Sequence, residues 1–92
     1  MGGKSKESII ENTKECFICK NPRVQMHHIY KGNKCRKIAD QEGLWVWLCP
    51  EHHRLVHQDR KLDLAFMRLG QEIFEMTHTR REFREKFIKS YL

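Results

Sequence analysis

Hydrophobic side chains in the C-terminal third of the chain recur with the period of an α-helix. Two stripes have steps of three or four residues, one over 62–76 and one over 83–91. The stripe positions are Leu62, Phe66, Leu69, Ile73, Met76, Phe83, Phe87 and Tyr91. Between the stripes, Thr79 and Glu82 have the spacing of a capping box at a helix N-terminus. The pattern therefore predicts two helices that form a hairpin.

Two short runs in the N-terminal half have the pattern of β-strands. In the first run, Val24 and Met26 alternate with polar residues up to the pair His27-His28. The second run, 44–48, is continuously apolar and aromatic, as in a buried strand. Because neighbouring side chains of a strand point to opposite faces, we expect the two histidines to face different surroundings.

The second predicted strand leads directly into a helix. Pro50 follows the strand after one residue, and proline is favoured at the first position of a helix. We expect this helix to extend over 51–57. By contrast, residues 31–43 are rich in lysine and arginine and have a glycine near each end, Gly32 and Gly43. We interpret them as a basic loop.

The charge of the chain favours some partners over others. Lysine and arginine outnumber aspartate and glutamate by 18 to 12, which gives a formal net charge of +6. A positive excess of this kind favours a polyanion such as nucleic acid. No run approaches the roughly 18 apolar residues needed to span a membrane. We therefore expect a cytoplasmic protein with no membrane partner, whose cysteines bind metal rather than form disulfides.

Three cysteines and one histidine have the spacing of a structural zinc site. Cys16 and Cys19 form a C-x-x-C pair, and Cys49 and His52 form a C-x-x-H pair. Structural zinc takes four such ligands in a closed tetrahedron, so we expect this set to stabilise the fold. The remaining thiol, Cys35, falls in the basic segment, and we expect it to be free and partly exposed.

The other clustered histidines suggest a second metal site. His53 and His57 are four residues apart, so their rings share one face of the predicted helix. His52 lies about 100° away around that helix, free to face the cysteines. On the strand, one of His27 and His28 can bind the same ion while the other stays free as a base.

Together these motifs resemble the HNH (ββα-metal, or His-Me finger) endonucleases, especially small phage and prophage members with a zinc knuckle. The resemblance spans residues 15–92 and is loose in the C-terminal part. The matching motifs are the C-x-x-C at 16–19, His27-His28-Ile29, Leu48-Cys49-Pro50-Glu51-His52-His53, and His57.

The resemblance implies an α+β fold, with a ββα-metal module, a structural zinc site and a C-terminal helical hairpin. It implies that His27, His53 and His57 ligate a catalytic divalent ion, which would be Mg²⁺, Mn²⁺, Ni²⁺ or Zn²⁺. The implied activity is hydrolysis of DNA phosphodiester bonds, in which His28 would be the general base. The implied zinc ligands are Cys16, Cys19, Cys49 and His52.

One position departs from the family pattern. The family often has an asparagine before the second strand that braces the base, whereas residues 40–44 read Asp-Gln-Glu-Gly-Leu. Either Asp40 or Gln41 takes that role, or the brace is absent. The departure concerns turnover more than the fold.

DNA is the expected partner, and basic side chains are its expected backbone contacts, although a solvated basic face would look the same. These side chains are Lys31, Lys34, Arg36, Lys37, Arg54 and Arg60. We expect limited sequence specificity, or specificity that a homodimer or a protein partner supplies. Two alternatives stay open: a catalytically inactive HNH-fold module that binds DNA or protein, and a zinc-stabilised interaction module whose second histidine set is accidental.

The length allows one small domain with a thin core. We predict a flexible leader over 1–14 and a single domain over 15–92. The zinc knuckle and the ββα-metal core would occupy 15–60, and the C-terminal helices would occupy 61–92.

Overall fold

The computed structural model describes residues 7–11 and 13–92 and confirms the α+β class. These residues form four helices and a two-stranded antiparallel sheet. In chain order the elements are β1 (Gln25–His28), α1 (Asn33–Glu42), β2 (Trp45–Leu48), α2 (Pro50–Gln58), α3 (Arg60–Phe74) and α4 (Arg80–Phe87). No helix in this described part of the chain is long and apolar enough to cross a bilayer.

The two predicted strands pair with each other. His27 lies opposite Val46 and His28 lies opposite Trp45 in the antiparallel register. The continuous apolar run of β2 is explained by burial, because Val46 is fully inaccessible. The alternation predicted for β1 also holds, since His27 is buried and His28 is only half-buried.

The prediction of a basic loop over 31–43 is wrong, because most of this segment is helix α1. Cys35 and Ala39 are one turn apart on the buried face of this helix. Gly43 ends the helix in the left-handed conformation, with φ of 74°, and its N–H donates to the Ala39 carbonyl. The expectation that Cys35 is a partly exposed thiol is also wrong, because its side chain belongs to the core.

Part of the predicted flexible leader is attached to the sheet. The backbone N–H of Ile9 donates to the Gly43 carbonyl over 2.9 Å, and the Ser8 hydroxyl donates to the Trp45 carbonyl. Glu11 is buried. The rest of the predicted leader includes residues 1–6 and 12, which lie outside the described residues.

The C-terminal helices cover the other side of the core through aromatic rings. Phe74 of α3 contacts Phe83 of α4 with ring centroids 5.7 Å apart, and the tilted rings of Tyr30 and Phe87 have centroids 4.6 Å apart. The predicted capping box is confirmed at the start of α4. Helix α3 ends at Phe74, so Met76, which the stripe placed on the apolar face, is exposed.

Candidate metal centres

Two segments, the turn before β1 and the start of α2, bring the predicted zinc ligands together. Cys16 and Cys19 come from a tight turn before β1, in which the Lys20 N–H donates to the Cys16 carbonyl over 2.8 Å. Cys49 is the N-cap residue of α2, and His52 follows in the first turn of that helix. Their four ligand atoms lie within 4.8 Å of one another, so the set is compatible with metal binding.

The spacing of these atoms matches the edges of a zinc tetrahedron. With Zn–S bonds of about 2.3 Å, tetrahedral geometry places two sulfurs about 3.8 Å apart. The Cys19 and Cys49 sulfurs are 3.8 Å apart. Nδ1 of His52 lies 3.5 Å from the Cys16 sulfur and 3.2 Å from the Cys49 sulfur. The four residues are therefore consistent with a structural zinc site.

The ionisation of Cys16 also suits a cation. Burial opposes ionisation of the Cys16 thiol, but backbone hydrogen bonds from Cys49, Cys19 and Ile18 outweigh it and lower its pKa to about 6. For Cys19, the backbone N–H of Asn21 favours the thiolate, but burial and the adjacent thiols raise its pKa. Since thiolates bind zinc, Cys16 supplies the first negative charge, and a bound cation would favour ionisation of the others.

A second group of possible ligands is formed by His27 of β1 with His53 and His57 of α2. One nitrogen can be chosen from each ring so that all three lie within 4.8 Å of one another. Nδ1 of His27 lies 3.3 Å from Nδ1 of His53, close to the about 3.3 Å edge expected for Zn–N bonds near 2.05 Å. Nε2 of His57 lies 3.2 Å from Nε2 of His53. His53 thus faces its two neighbours with different nitrogens, and a shared ion would select one of them.

The fold favours the neutral form of His27 and His53, which is the form that binds metal. Burial, assisted by the nearby His53 and His57, lowers the pKa of His27 to about 4. Burial and the neighbouring histidines also lower the pKa of His53. Nε2 of His27 is buried and has no hydrogen-bond partner among the described residues. Nδ1 is the nitrogen of His27 that approaches His53, so the orphaned Nε2 lies on the other edge of the ring.

His28 is not part of this ligand group and meets α1. Its Nε2 lies 3.0 Å from Oδ1 of Asp40, and its side chain is 24% exposed. Oδ1 of Asp40 is buried and accepts no aligned hydrogen bond from the described residues, so the contact is close but not yet well oriented. The structure thus brings Asp40, rather than Gln41, to the base predicted from the sequence.

The histidines line a groove of about 480 Å³. Lys31 and Arg36 of the predicted phosphate contacts lie on its wall. Arg60 lines a neighbouring groove, and Arg54 lies beside Cys49 in a third. Lys34 and Lys37 are exposed on α1, outside the lining of the histidine groove. The six predicted cations therefore do not form one surface.

Asp63 was not predicted from the sequence. Its Oδ2 lies 3.0 Å from Nζ of Lys31, and its Oδ1 is buried without a hydrogen-bond partner in the described part of the chain. The carboxylate also favours the charged form of His27. The sequence could not show this contact, because Lys31 and Asp63 are 32 positions apart and meet only through the packing of α3.

Comparison with known proteins gives no family for this chain. No protein-family model matches it, and neither the curated proteins nor the solved structures give a significant match.

Proposed function

We propose that this protein is a metal-dependent HNH-type endonuclease that hydrolyses DNA phosphodiester bonds. One observation carries the proposal: three imidazoles converge beside a fourth, non-converging imidazole on the wall of one basic groove. In this proposal β1, β2 and α2 form the ββα-metal module. The resemblance noted in the sequence supports the same assignment, along with a phage or prophage origin and a cytoplasmic location.

His27, His53 and His57 would hold the divalent ion, whether Mg²⁺, Mn²⁺, Ni²⁺ or Zn²⁺. When bound, such an ion supplies Lewis-acid stabilisation of charge on the phosphoryl oxygens. The chain contributes neutral ligands, because burial holds the pKa of His27 well below its usual range. Neutral ligands leave the full positive charge of an ion available to a phosphate.

His28 would act as the general base. Asp40 lies next to Nε2, so the tautomer with a proton on Nε2 donates toward the carboxylate and leaves Nδ1 free to accept a proton from water. Hydrogen bonds in active sites without substrate are often poorly aligned, and a small rotation of the ring would orient this one. Asp40 therefore takes the bracing role in our proposal.

Lys31 and Arg36 would position the phosphate over the imidazoles. Both line the histidine groove, and both side chains are exposed to an incoming strand. Contacts of this kind fix the position of the backbone and carry no sequence information. The zinc group would stabilise the fold, because it joins the turn before β1 to the start of α2.

Cleavage of supercoiled plasmid by the zinc-loaded protein tests the proposal. With added Mg²⁺, Mn²⁺ or Ni²⁺, the parent should nick or cut the plasmid, and His28→Ala should lose about 10²-fold or more of that rate. His78→Ala is the matched control, since His78 stacks on Phe74 far along α3. Zinc content and circular dichroism should be the same for His28→Ala and the parent.

Two outcomes would contradict this assignment. Cleavage by His28→Ala at the parental rate would show that His28 is not the general base. A parent that retards the plasmid without cutting it, under all three ions, would instead identify a DNA-binding module without catalysis.

A further inference from the structure

We infer that a second basic groove, adjoining the histidine groove, binds an unpaired strand of nucleic acid beside the proposed cleavage position. The inference deepens the proposed function and rests on it for the cleavage step. Binding of a single strand in the groove does not depend on catalysis.

The groove has a volume of about 560 Å³ and shares Lys31 with the histidine groove. Arg60 and Lys61 enter it from the start of α3, and Lys89 enters from the C-terminal segment. A strand that passes Lys31 would therefore reach the groove that His28 lines. The shared wall is the reason to treat the two grooves as one path.

The charge of this groove is positive and largely available. Asp63 is the carboxylate in its lining, and it is paired with Lys31 over 3.0 Å. Arg60 and Lys61 are exposed and have no ion pair among the described residues. Asp59 lies nearby, but its Oδ1 accepts the backbone N–H groups of Lys61 and Leu62. The backbone amides at this helix start are thus occupied, and phosphates would be met by side chains.

Tyr91 supplies an aromatic surface at the edge of the same groove. Its backbone N–H donates to Oε1 of Gln71 over 2.7 Å, and its carbonyl accepts from Nε of Arg68 over 3.0 Å. Its ring lies 5.8 Å from the buried Tyr30 ring. The hydrogen bonds hold the backbone of Tyr91, and its ring packs near Tyr30, so that stacking a base on the ring needs little further ordering.

Nζ of Lys89 lies over the Tyr91 ring, 5.2 Å from its centroid. An exposed ammonium–ring contact is weaker than base stacking on tyrosine, so a base would displace the ammonium toward a phosphate. Leu64 and Met67 also line this groove. Cations beside an aromatic platform are what single-strand binding sites combine.

An unpaired strand fits these features better than a duplex does. In a duplex the bases are stacked on one another, and only the phosphates would reach Lys61 and Lys89. An unpaired strand offers a free base face to Tyr91 as well as its phosphates. The geometry therefore points to a substrate that has single-stranded nucleic acid next to the scissile bond.

Fluorescence anisotropy with a labelled oligothymidylate of about 12 nucleotides tests the inference. The full-length, zinc-loaded protein is used without other divalent ions, and a blunt duplex of equal length is the comparison. Tyr91→Ala should weaken oligothymidylate binding about 10-fold, whereas Tyr91→Phe should change it less than about 2-fold. Because Tyr91→Ala removes a contact with the core, Lys61→Glu at an exposed position provides a second variant. Arg84→Ala, in a different groove with Arg81, should have no effect.

The outcomes separate this inference from the proposed function. Binding that Tyr91→Ala and Lys61→Glu leave unchanged would overturn the groove assignment, as would a duplex that binds more tightly than the oligomer. Thymidine monophosphate binding as tightly as the oligomer would overturn the assignment to a strand. A protein that binds the oligomer through Tyr91 but never cuts contradicts only the nuclease. One that cuts blunt duplex without binding the oligomer contradicts only the inference made here.

Discussion

Nε2 of His28, at the end of β1, lies 3.0 Å from Oδ1 of Asp40, in the last turns of α1. The contact joins two elements that the chain connects only through Gly32 and a short turn. It places a buried carboxylate oxygen next to Nε2 of a ring that lines the histidine groove. In the proposed nuclease, this relationship would select the tautomer of the base.

Replacing Asp40 tests that relationship. Asp40→Ala should lower kcat for plasmid cleavage on the order of 10²-fold and leave KM nearly unchanged, because the base loses its orientation but the groove is intact. Asp40→Asn should lose less, since its amide oxygen can still accept from Nε2. The measurement is steady-state nicking as a function of plasmid concentration.

Gln41→Ala is the matched control on the same helix, because Gln41 is exposed and was the alternative candidate for the brace. Its kcat should equal that of the parent. If Gln41→Ala were as impaired as Asp40→Ala, the loss would reflect damage to α1 rather than to the base.

Removal of one zinc ligand should destabilise the whole fold. Cys16→Ser should lose zinc on dialysis and lower Tm on the order of 10 °C, because the turn before β1 is no longer joined to α2. Zinc content and thermal melting measure the two effects. Cys35→Ala serves as the control, since Cys35 is buried away from the ligand set and its replacement should leave zinc content unchanged. Equal zinc in Cys16→Ser and the parent would rule out this ligand assignment.

Acid should destabilise the protein through His27. The pKa of His27 is about 4 in the fold and 6.5 as the ordinary value, so between these values the unfolded chain binds a proton that the folded chain does not. The stability is therefore present above pH 6.5 and is lost as the pH falls toward 4, at no more than about 1.4 kcal/mol per pH unit for one proton. The nearby Asp63 carboxylate opposes part of the shift.

Denaturant unfolding at several pH values, without divalent ions other than zinc, measures this slope. His27→Leu keeps an apolar contact with Phe66, whose ring lies 6.1 Å from that of His27, and should show a shallower loss. Both proteins keep Cys16, Cys19, Cys49 and His52, so acid release of zinc from that group is common to them. Zinc is added at no more than one equivalent, so that it does not also fill the His27 group. If stability fell equally steeply with pH in the parent and in His27→Leu, burial of His27 would not be the cause of the acid sensitivity.

Gly70 is a position where a helix-favouring residue should be harmful. A Cβ there would lie 2.5 Å from the Tyr30 hydroxyl oxygen, and that hydroxyl donates to the Met67 carbonyl over 2.7 Å. Gly70→Ala should therefore destabilise by about 1–3 kcal/mol, although alanine would otherwise stabilise a helix. In a double-mutant cycle, Tyr30→Phe should relieve part of that cost. Strictly additive effects would show that the hydroxyl is not the obstacle.

The sequence predicted those parts of the site whose spacing is local. His53 and His57 share a helix face because they are one turn apart, and the turn at Cys16 and Cys19 is equally local. These arrangements depend on the backbone period alone. The two strands and the start of α2 at Pro50 were predicted for the same reason.

Helix α1 and the contacts of Asp63 could not be predicted in this way. Lysine and arginine dominate α1, so its weak apolar spacing, Cys35 and Ala39, was hidden by charge. The choice between Asp40 and Gln41 depends on how α1 is rotated against β1. That rotation is determined by burial of Ala39 and by the end at Gly43, not by the residues near His28.

Helix α2 contributes to both ligand groups through two consecutive residues, His52 and His53. Substitutions can alter one group and spare the other, but a change in length cannot. One residue inserted between them would turn everything downstream by about 100° and advance it by about 1.5 Å. His53 and His57 would then leave His27 together, while Cys49 and His52 kept their places. Point mutations can thus change one ligand group at a time, whereas an insertion or deletion between His52 and His53 separates the two groups in a single step.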